Sequence, residues 1–415
     1  MSTFEPLGVV LPPSESGWDS QSVAAPIVWR DDAGYHMLHQ GWRAGSGPRL
    51  LGLAESDDGL HWQRVGSEPV MTPTPNSWDA RGFEAGCLIH DGDEYCLYYS
   101  GLGPDDTYRI GIATSRDLCV WHKHGNSPIL DVGPVGAWDA RGVAFPAVHK
   151  RLAQGETRWR MTYGGYGERS MQLGTALSGD GRTWRKYPQP TFPQRGWFAD
   201  ADCAAWDAGI EVHQMFAMGD WYVMLYEGLG PPARYNLGVA FSPDSIAWAR
   251  SSRNPLWPLS NCAVNQGLSS VHPFLLQSDR IVYYVEVLEA STEAQHRICA
   301  ARLLDDTLID PKAQPRLDFC LWRAEEVDPE GKATRTLPTA GYSWASFSAE
   351  ADAPGRLYLE MDAFGRGDWQ RVESYALDPN GLLRGRIMDL CGSVRLWYSP
   401  ERECKCSAWV SLHCR

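Results

Sequence analysis

The chain has 415 residues with a formal net charge of −13, and it is rich in Trp (19) and Tyr (17), with 11 Cys. An acidic excess without clustered Lys/Arg excludes a phosphate-binding nucleic-acid surface, and no apolar run is long enough to span a bilayer. The start, Met1-Ser2-Thr3-Phe4-Glu5-Pro6, has neither the basic end nor the apolar core of a secretory signal, so a cytoplasmic location with cysteines kept as thiols is expected.

In chain order, Phe4-Glu5-Pro6-Leu7-Gly8-Val9-Val10 looks like the end of a repeat rather than its start; compare Ser67-Glu68-Pro69-Val70. The repeat itself opens with Trp18-Asp19, Trp78-Asp79, Trp138-Asp139 and Trp206-Asp207, spaced 60, 60 and 68 residues apart. Its middle recurs as His39-Gln40-Gly41, Tyr99-Ser100-Gly101, Tyr163-Gly164-Gly165 and Tyr226-Glu227-Gly228. Its closer recurs as Ser56…Trp62, Ser115…Trp121, Ser178…Trp184 and Ser242…Trp248. A fifth, weaker copy runs from Gln266 through Val285-Glu286 to Arg302. Each unit holds four short apolar runs between Gly/Asp turns, which is one antiparallel four-stranded sheet. Such sheets repeating at this period predict a β-propeller of five blades. The fifth copy lacks a fourth strand after Leu304, so the N-terminal segment is expected to close the ring, with Val9 beside 297–303.

The repeat stops after Asp310-Pro311. Alternating runs such as Gly355–Met361 and Val394–Tyr398, separated by turns at Pro354-Gly355 and Asp378-Pro379-Asn380-Gly381, predict a separate β-sandwich. The expected domains are therefore a propeller over 1–312 and a sandwich over 313–415, an all-β fold. Cys404, Cys406 and Cys414 lack paired Cys-x-x-Cys spacing, so no zinc site is expected there.

The Trp-Asp opener, the strand Ile110-Gly111-Ile112-Ala113-Thr114-Ser115 and the closer Ser56-Asp57-Asp58-Gly59-Leu60-His61-Trp62 resemble the five-bladed propeller superfamily of glycoside hydrolases. This superfamily includes the arabinanases, xylosidases, invertases and levansucrases of families 32, 43, 62 and 68. The resemblance covers residues 1 to about 310. Gln370–Tyr375 with Asp378-Pro379-Asn380-Gly381 resembles the sandwich of its invertase-like members. It implies carboxylates on the innermost strands, one a base or nucleophile and one an acid, acting on a glycosidic bond. In many members the base is an Asp just before a Pro on the first blade. Here that place reads Ala24-Ala25-Pro26, and Ala can do neither job.

Counted from the openers, this slot falls on Ala25, Ala85, Phe145, His213 and His272, with a possible slip by one in blades four and five. The neighbouring slot holds Ala24, Glu84, Ala144, Val212 and Val271. Glu84, Glu211 and Glu227 are the candidate catalytic carboxylates, since an acid on an otherwise apolar strand must be solvated or paired. Two of them are expected to face each other across the funnel. Glu286 is expected at the place matching Glu227. His213, His272, Asp200, Asp202, Arg81 and Arg141 are candidate substrate contacts. Asp19, Asp79, Asp139 and Asp207 repeat in every blade and read as turn or capping residues. The Ser-x-Asp closers resemble the structural Asp-box turns of sialidase propellers. Some relatives hold calcium, but no Asp/Asn/Gly loop of the usual kind occurs, so neither a metal nor a cofactor is expected.

The leading expectation is a glycoside hydrolase-like enzyme acting on a small furanoside or pyranoside in the central funnel. A non-hydrolytic propeller enzyme, a cyclase or isomerase of specialised metabolism, is the second. A non-catalytic carbohydrate-binding protein is the third. The expected partner is a small molecule, with no nucleic acid and no membrane.

Overall fold

The computed structural model describes residues 3–45, 47–153, 156–167, 171–192, 206–230, 234–256, 272–288, 294–364, 366–388, 390 and 392–414. Five four-stranded sheets make a five-bladed β-propeller. The first four blades run from inner to outer strand in chain order, beginning with Ser22–Asp31, Phe83–Asp91, Gly142–Ala153 and Gly209–Met218. The fifth comprises Phe274–Leu276, Ile281–Leu288 and Gln295–Leu303, and its outer strand is the N-terminal Phe4–Leu11. Val9 lies opposite Cys299, so the ring is closed by the chain start as expected.

The openers explain why the repeat folds this way. Trp78 stacks on Tyr99 with ring centroids 5.6 Å apart, and Trp138 on Tyr163 and Trp206 on Tyr226 do the same at 5.5 and 5.7 Å. Each indole lies on two strand glycines: a methyl at Gly101 or Gly111 would stand 2.4 or 2.5 Å from the Trp78 ring. Glycine normally weakens a strand, but here it seats the aromatic ring. The following Asp is an anchor as well as a turn residue. Asp79 accepts from the Tyr99 hydroxyl at 3.3 Å and from Lys123 on the outer strand at 2.5 Å. Asp139 does so with Tyr163 and Lys186, at 3.3 and 2.6 Å. Asp19, buried, is held by Arg64 at 2.5 Å. The closers are turns: Asp58 accepts the Leu60 and His61 amides, both at 2.8 Å, and Trp62 donates its indole N–H to Gly59. The same left-handed position is filled by Gly59, Leu118, Gly181 and Ser245, with φ between 65° and 75°.

The inner strands of blades one, two and three carry a bulge at the expected slot. Register shifts fall between Ala24 and Ile27, between Glu84 and Cys87, and between Ala144 and Ala147. Ala25, Phe145 and His272 have φ of 49°, 54° and 41°. Non-glycine residues there cost about 1–2 kcal/mol each. Two of them are strapped to the preceding blade: the Phe145 amide donates to Ser100 Oγ at 2.7 Å, and the His272 amide to Glu227 Oε2 at 3.1 Å.

The C-terminal residues form a β-sandwich. One sheet has the order Arg316–Val327, Cys404–His413, Trp344–Ala351, Leu383–Met388. The other has the order Lys332–Ala333, Ser393–Pro400, Gly355–Asp362, Gln370–Leu377, with Leu337–Pro338 also on Ser393–Pro400. Burial alternates strictly along Ser393–Pro400, the period-two pattern of a strand with one face in the core. The chain divides into two compact units, Met1–Phe216 with Met224–Gly238 and Pro255–Asp305, and Ala217–Val223 with Val239–Asn254 and Asp306–Arg415. Among the described residues no helix is long and apolar enough to cross a membrane, and none of the cysteines is in a disulfide.

Candidate functional site

Three sets of equivalent positions line the mouth of the propeller. The first is the residue just before the inner-strand bulge. Ala24 lies opposite Gln40, Glu84 opposite Ser100, and Ala144 opposite Gly164. In blade four the register is read from the contact with the next blade. Gln214 exchanges two hydrogen bonds with the Leu275 backbone, at 3.1 and 2.8 Å, as Cys87 reaches the Val148 carbonyl at 3.4 Å. Gln214 therefore matches Cys87, Glu211 matches Glu84, and Val212 fills the bulge slot. The count from the opener put His213 there; the blade-four turn is one residue shorter, and His213 moves past the slot.

The second set is on the next strand: Gln40, Ser100, Gly164 and Glu227. In blade five it is Val285, because Tyr284 faces Cys299 as Tyr99 faces Gly111. Glu286 is thus one position beyond the place expected for it, and pairs with Arg297 at 2.5 Å.

The third set went unrecognised in the sequence. It is the residue three before the third-strand position that faces His39, Tyr99, Tyr163 or Tyr284: Arg49, Tyr108, Met171 and His296, with Tyr235 in blade four. The glycines at Gly52, Gly111, Gly174 and Gly238 carry the signal that could have found it. Counting back three from each gives one cation and two tyrosines among four positions.

These sets meet at the carboxylates. Glu84 is buried; the Tyr108 hydroxyl donates to its Oε1 at 2.8 Å, and Arg49 forms a salt bridge to the same oxygen. Gln40 donates to Oε2 at 3.4 Å. Arg49 also lies over the Trp42 ring at 4.9 Å, and Trp42 meets His296 at 5.1 Å. Glu84, Arg49, Arg81 and Tyr108 line a cavity of about 340 Å³. On blade four, Glu211 hydrogen-bonds Glu227 and Tyr235; burial pushes its carboxyl above the ordinary carboxylate range, against the lowering effect of those two bonds. Burial likewise raises the Tyr235 and Tyr166 hydroxyls, with the charges of Glu211 and Glu227 adding to it. Tyr108 stacks on Tyr166 with centroids 6.2 Å apart, joining the two halves.

Glu84 and Glu211 thus have the same place and the same kind of tyrosine donor, but different neighbours. The preceding blade offers Arg49 to Glu84; at that register it offers Met171 to Glu211. Glu227 is fully buried, bonded at once to Glu211 and to the His272 amide. Two carboxyls in hydrogen-bond contact do not both ionise readily, so one proton is held between them.

His213 accepts from the Thr162 hydroxyl at 2.8 Å and donates to the Glu211 carbonyl at 3.2 Å, so one neutral tautomer satisfies the ring. Burial lowers it to about 4, and lowers His272 to about 3 with help from Arg49 and His296. Both are neutral interior histidines. Arg81 is half-exposed at the cavity and paired with Asp106. Arg141 is exposed, and its amide donates to the Tyr166 carbonyl at 2.8 Å. Asp200 and Asp202 lie outside the described residues. Among the described residues no group of three or more His, Cys, Asp or Glu is placed to hold a metal ion.

No protein-family model matches the chain. An uncharacterized protein of Mycobacterium tuberculosis is 29% identical over 141 residues, 33% of this chain and 45% of that protein. The 1,2-β-oligomannan phosphorylase of a Thermoanaerobacter species is 28% identical over 125 residues, 28% of this chain and 42% of the enzyme. The sucrose-6-phosphate hydrolase of Escherichia coli is 26% identical over 247 residues, 55% and 45% of the two chains. The chain thus spans less than half the length of these curated relatives. Among solved structures, a glycosyl hydrolase from Bacteroides ovatus superposes with a TM-score of 0.52 at 19% identity, over 72% of this chain and 93% of that one. A structure from the GH130 family of mannoside phosphorylases, which contains hydrolases of β-1,2 mannosidic linkages in Candida mannan, gives 0.55 at 19%, over 75% and 96%. The chain thus shares the propeller fold of these solved structures, and over the matched segments it is similar in sequence to the curated proteins.

Proposed function

We propose that the chain is a glycosidase-like enzyme that cleaves a small furanoside or pyranoside at the propeller mouth, with Glu211 as the acid and Glu84 as the ionised carboxylate. One observation carries this: two carboxyls at the same register, two blades apart, have opposite kinds of neighbour, a guanidinium beside Glu84 and a second carboxyl beside Glu211. Such divergence is the usual way in which a single site obtains both an acid and a base. Burial raises the Glu211 carboxyl and so favours its protonated form, the form that would donate to a leaving oxygen. Arg49 and Tyr108 give Glu84 the partners an ionised carboxylate needs, the form that would serve water or a developing positive sugar ring. Glu227 holds the other end of the Glu211 proton. A cavity of about 340 Å³ with guanidinium, carboxylate and phenol groups on its wall suits one sugar ring. Two of the relatives named above are a 1,2-β-oligomannan phosphorylase and a sucrose-6-phosphate hydrolase, which supports a glycoside substrate here.

The test is a screen of chromogenic furanosides and pyranosides, followed by Glu84→Gln and Glu211→Gln on any substrate found. Each variant keeps shape and hydrogen bonding, so turnover should fall roughly 10²- to 10⁴-fold with the melting temperature little changed. The bulge slot, with Ala25 and Phe145 in place of carboxylates, favours a second reading, a propeller enzyme that does not hydrolyse. Absence of turnover on every glycoside, with a non-sugar metabolite converted in a Glu211-dependent way, would replace the first reading by the second. Sugar binding without any turnover would leave a binding protein.

A further inference from the structure

The sandwich sheet that contains Trp344–Ala351 turns one face to the core and the other to solvent. Its buried side is Ala345, Phe347 and Ala349 on that strand, with Ala408, Val410 and Leu412 on the neighbour. Its open side is laid out by register. Trp344, Ser346 and Ser348 lie opposite His413, Ser411 and Trp409 on one side, and opposite Met388, Arg386 and Arg384 on the other. Arg316 and Asp318 continue the first two rows on the far strand. The two middle strands therefore carry short serines, and the edge strands carry long arginines. That difference in side-chain height makes a groove of about 460 Å³, with Ser346, Ser348 and Ser411 on its floor, Arg384, Arg386 and Arg316 on its walls, and Trp409 in its lining.

The charge on this face is one-sided. Asp318 is spent on Arg316, at 2.7 Å, and on the Ser411 hydroxyl. Arg386 lies over the Trp344 ring at 5.4 Å and meets no carboxylate, and Arg384 has no ion pair among the described residues. Both are exposed. Two guanidiniums without a carboxylate partner thus stand side by side on a chain of net charge −13. The aromatic pieces are pre-set as well: Trp344 and His413 stack in parallel, 3.7 Å apart, with Ser346 bonded to the His413 ring at 3.0 Å.

We propose that this groove binds an acidic oligosaccharide, one whose rings carry carboxylates. A guanidinium fork pairs a planar carboxylate through two hydrogen bonds, serine hydroxyls match ring hydroxyls, and an indole offers a face for the apolar side of a sugar. The groove volume fits one or two rings and is too small for a folded partner. A peptide would more naturally extend the edge strand Leu383–Met388 than lie across the face. The site is independent of the chemistry assigned to the propeller mouth.

The experiment is calorimetric titration of the full chain with a galacturonate oligosaccharide and with its carboxyl-reduced, neutral counterpart. Binding of the acidic form alone is expected, weakening as salt is raised. Arg384→Gln and Arg386→Gln should each weaken it by roughly tenfold, and Trp409→Ala should weaken it further, with melting temperatures within a degree or two of the parent for the arginine variants. Glu211→Gln should leave it unchanged, which separates this site from the propeller mouth. Equal binding of the neutral form, no binding of either, or an arginine-dependent dimer in sedimentation would each overturn the proposal.

Discussion

Glu84 and Glu211 occupy the same register position on blades two and four, each with a tyrosine of its own blade bonded to it, Tyr108 and Tyr235. They differ in what the preceding blade presents at the third-strand position, Arg49 in one case and Met171 in the other. A cation at the Met171 position should therefore make Glu211 resemble Glu84. In Met171→Arg the Glu211 carboxyl should titrate lower by about 1–3 pH units, seen by carboxyl-carbon NMR. In an active preparation the alkaline limb of the pH–rate profile should move the same way. An unmoved titration would mean that Met171 does not stand in for Arg49.

The raised Glu211 carboxyl also ties stability to pH. Its folded-state value lies above its unfolded value, so its contribution is fully present below the ordinary carboxylate range and is lost as pH rises through the folded value. Thermal melts should show stability declining over that window, and Glu211→Gln should flatten the decline. A slope that is the same in both proteins would assign the effect to other groups.

His213 and His272 act in the opposite direction. Their folded values, about 4 and about 3, lie below the ordinary 6.5, so the unfolded chain takes up protons first as pH falls. Stability should drop from pH 6.5 downward, by roughly 3 kcal/mol for His213 alone when pH passes below its folded value. In His213→Asn the acid-side loss, measured by urea titration at several pH values, should be smaller, even though the variant is less stable at neutrality.

The glycines under the opening tryptophans make a packing prediction. Gly111→Ala places a methyl 2.5 Å from the Trp78 ring and 2.9 Å from the Tyr99 ring. Overpacking of this kind costs about 1–3 kcal/mol. The denaturation midpoint should fall accordingly, whereas Gly125→Ala, where nothing lies within 4 Å, should lose less despite its φ of 67°.

Much of the fold was legible because it is repeated. Trp78 on Gly101 and Gly111, Asp79 on Lys123, and the turn around Asp117 are each written several times, and each repetition is one blade with its own aromatic clamp and ion pair. Closure by Phe4–Leu11 was legible for the same reason, as the strand missing from the fifth copy. The inner-strand slot was legible in blades one, three and five, where Ala25, Phe145 and His272 precede a proline. It slipped in blade four, because a turn one residue shorter shifts every later position while leaving the motifs recognisable.

The site itself belongs to the tertiary structure. Glu84 was visible as an acid on an apolar strand, but nothing near it in sequence names Arg49 or Tyr108, and nothing near Glu211 names Tyr235. Those partners come from third strands, brought to the funnel mouth by antiparallel register within a blade and by the packing of one blade on the next. Whether a carboxyl is charged depends on the groups within a few ångströms of it. The sequence therefore determined which residue types stand on the inner strands and how many blades carry them. Only the folded ring decided that one of two equivalent glutamates faces a guanidinium while the other is buried against a second acid, because charge state follows distance in space and not position along the chain.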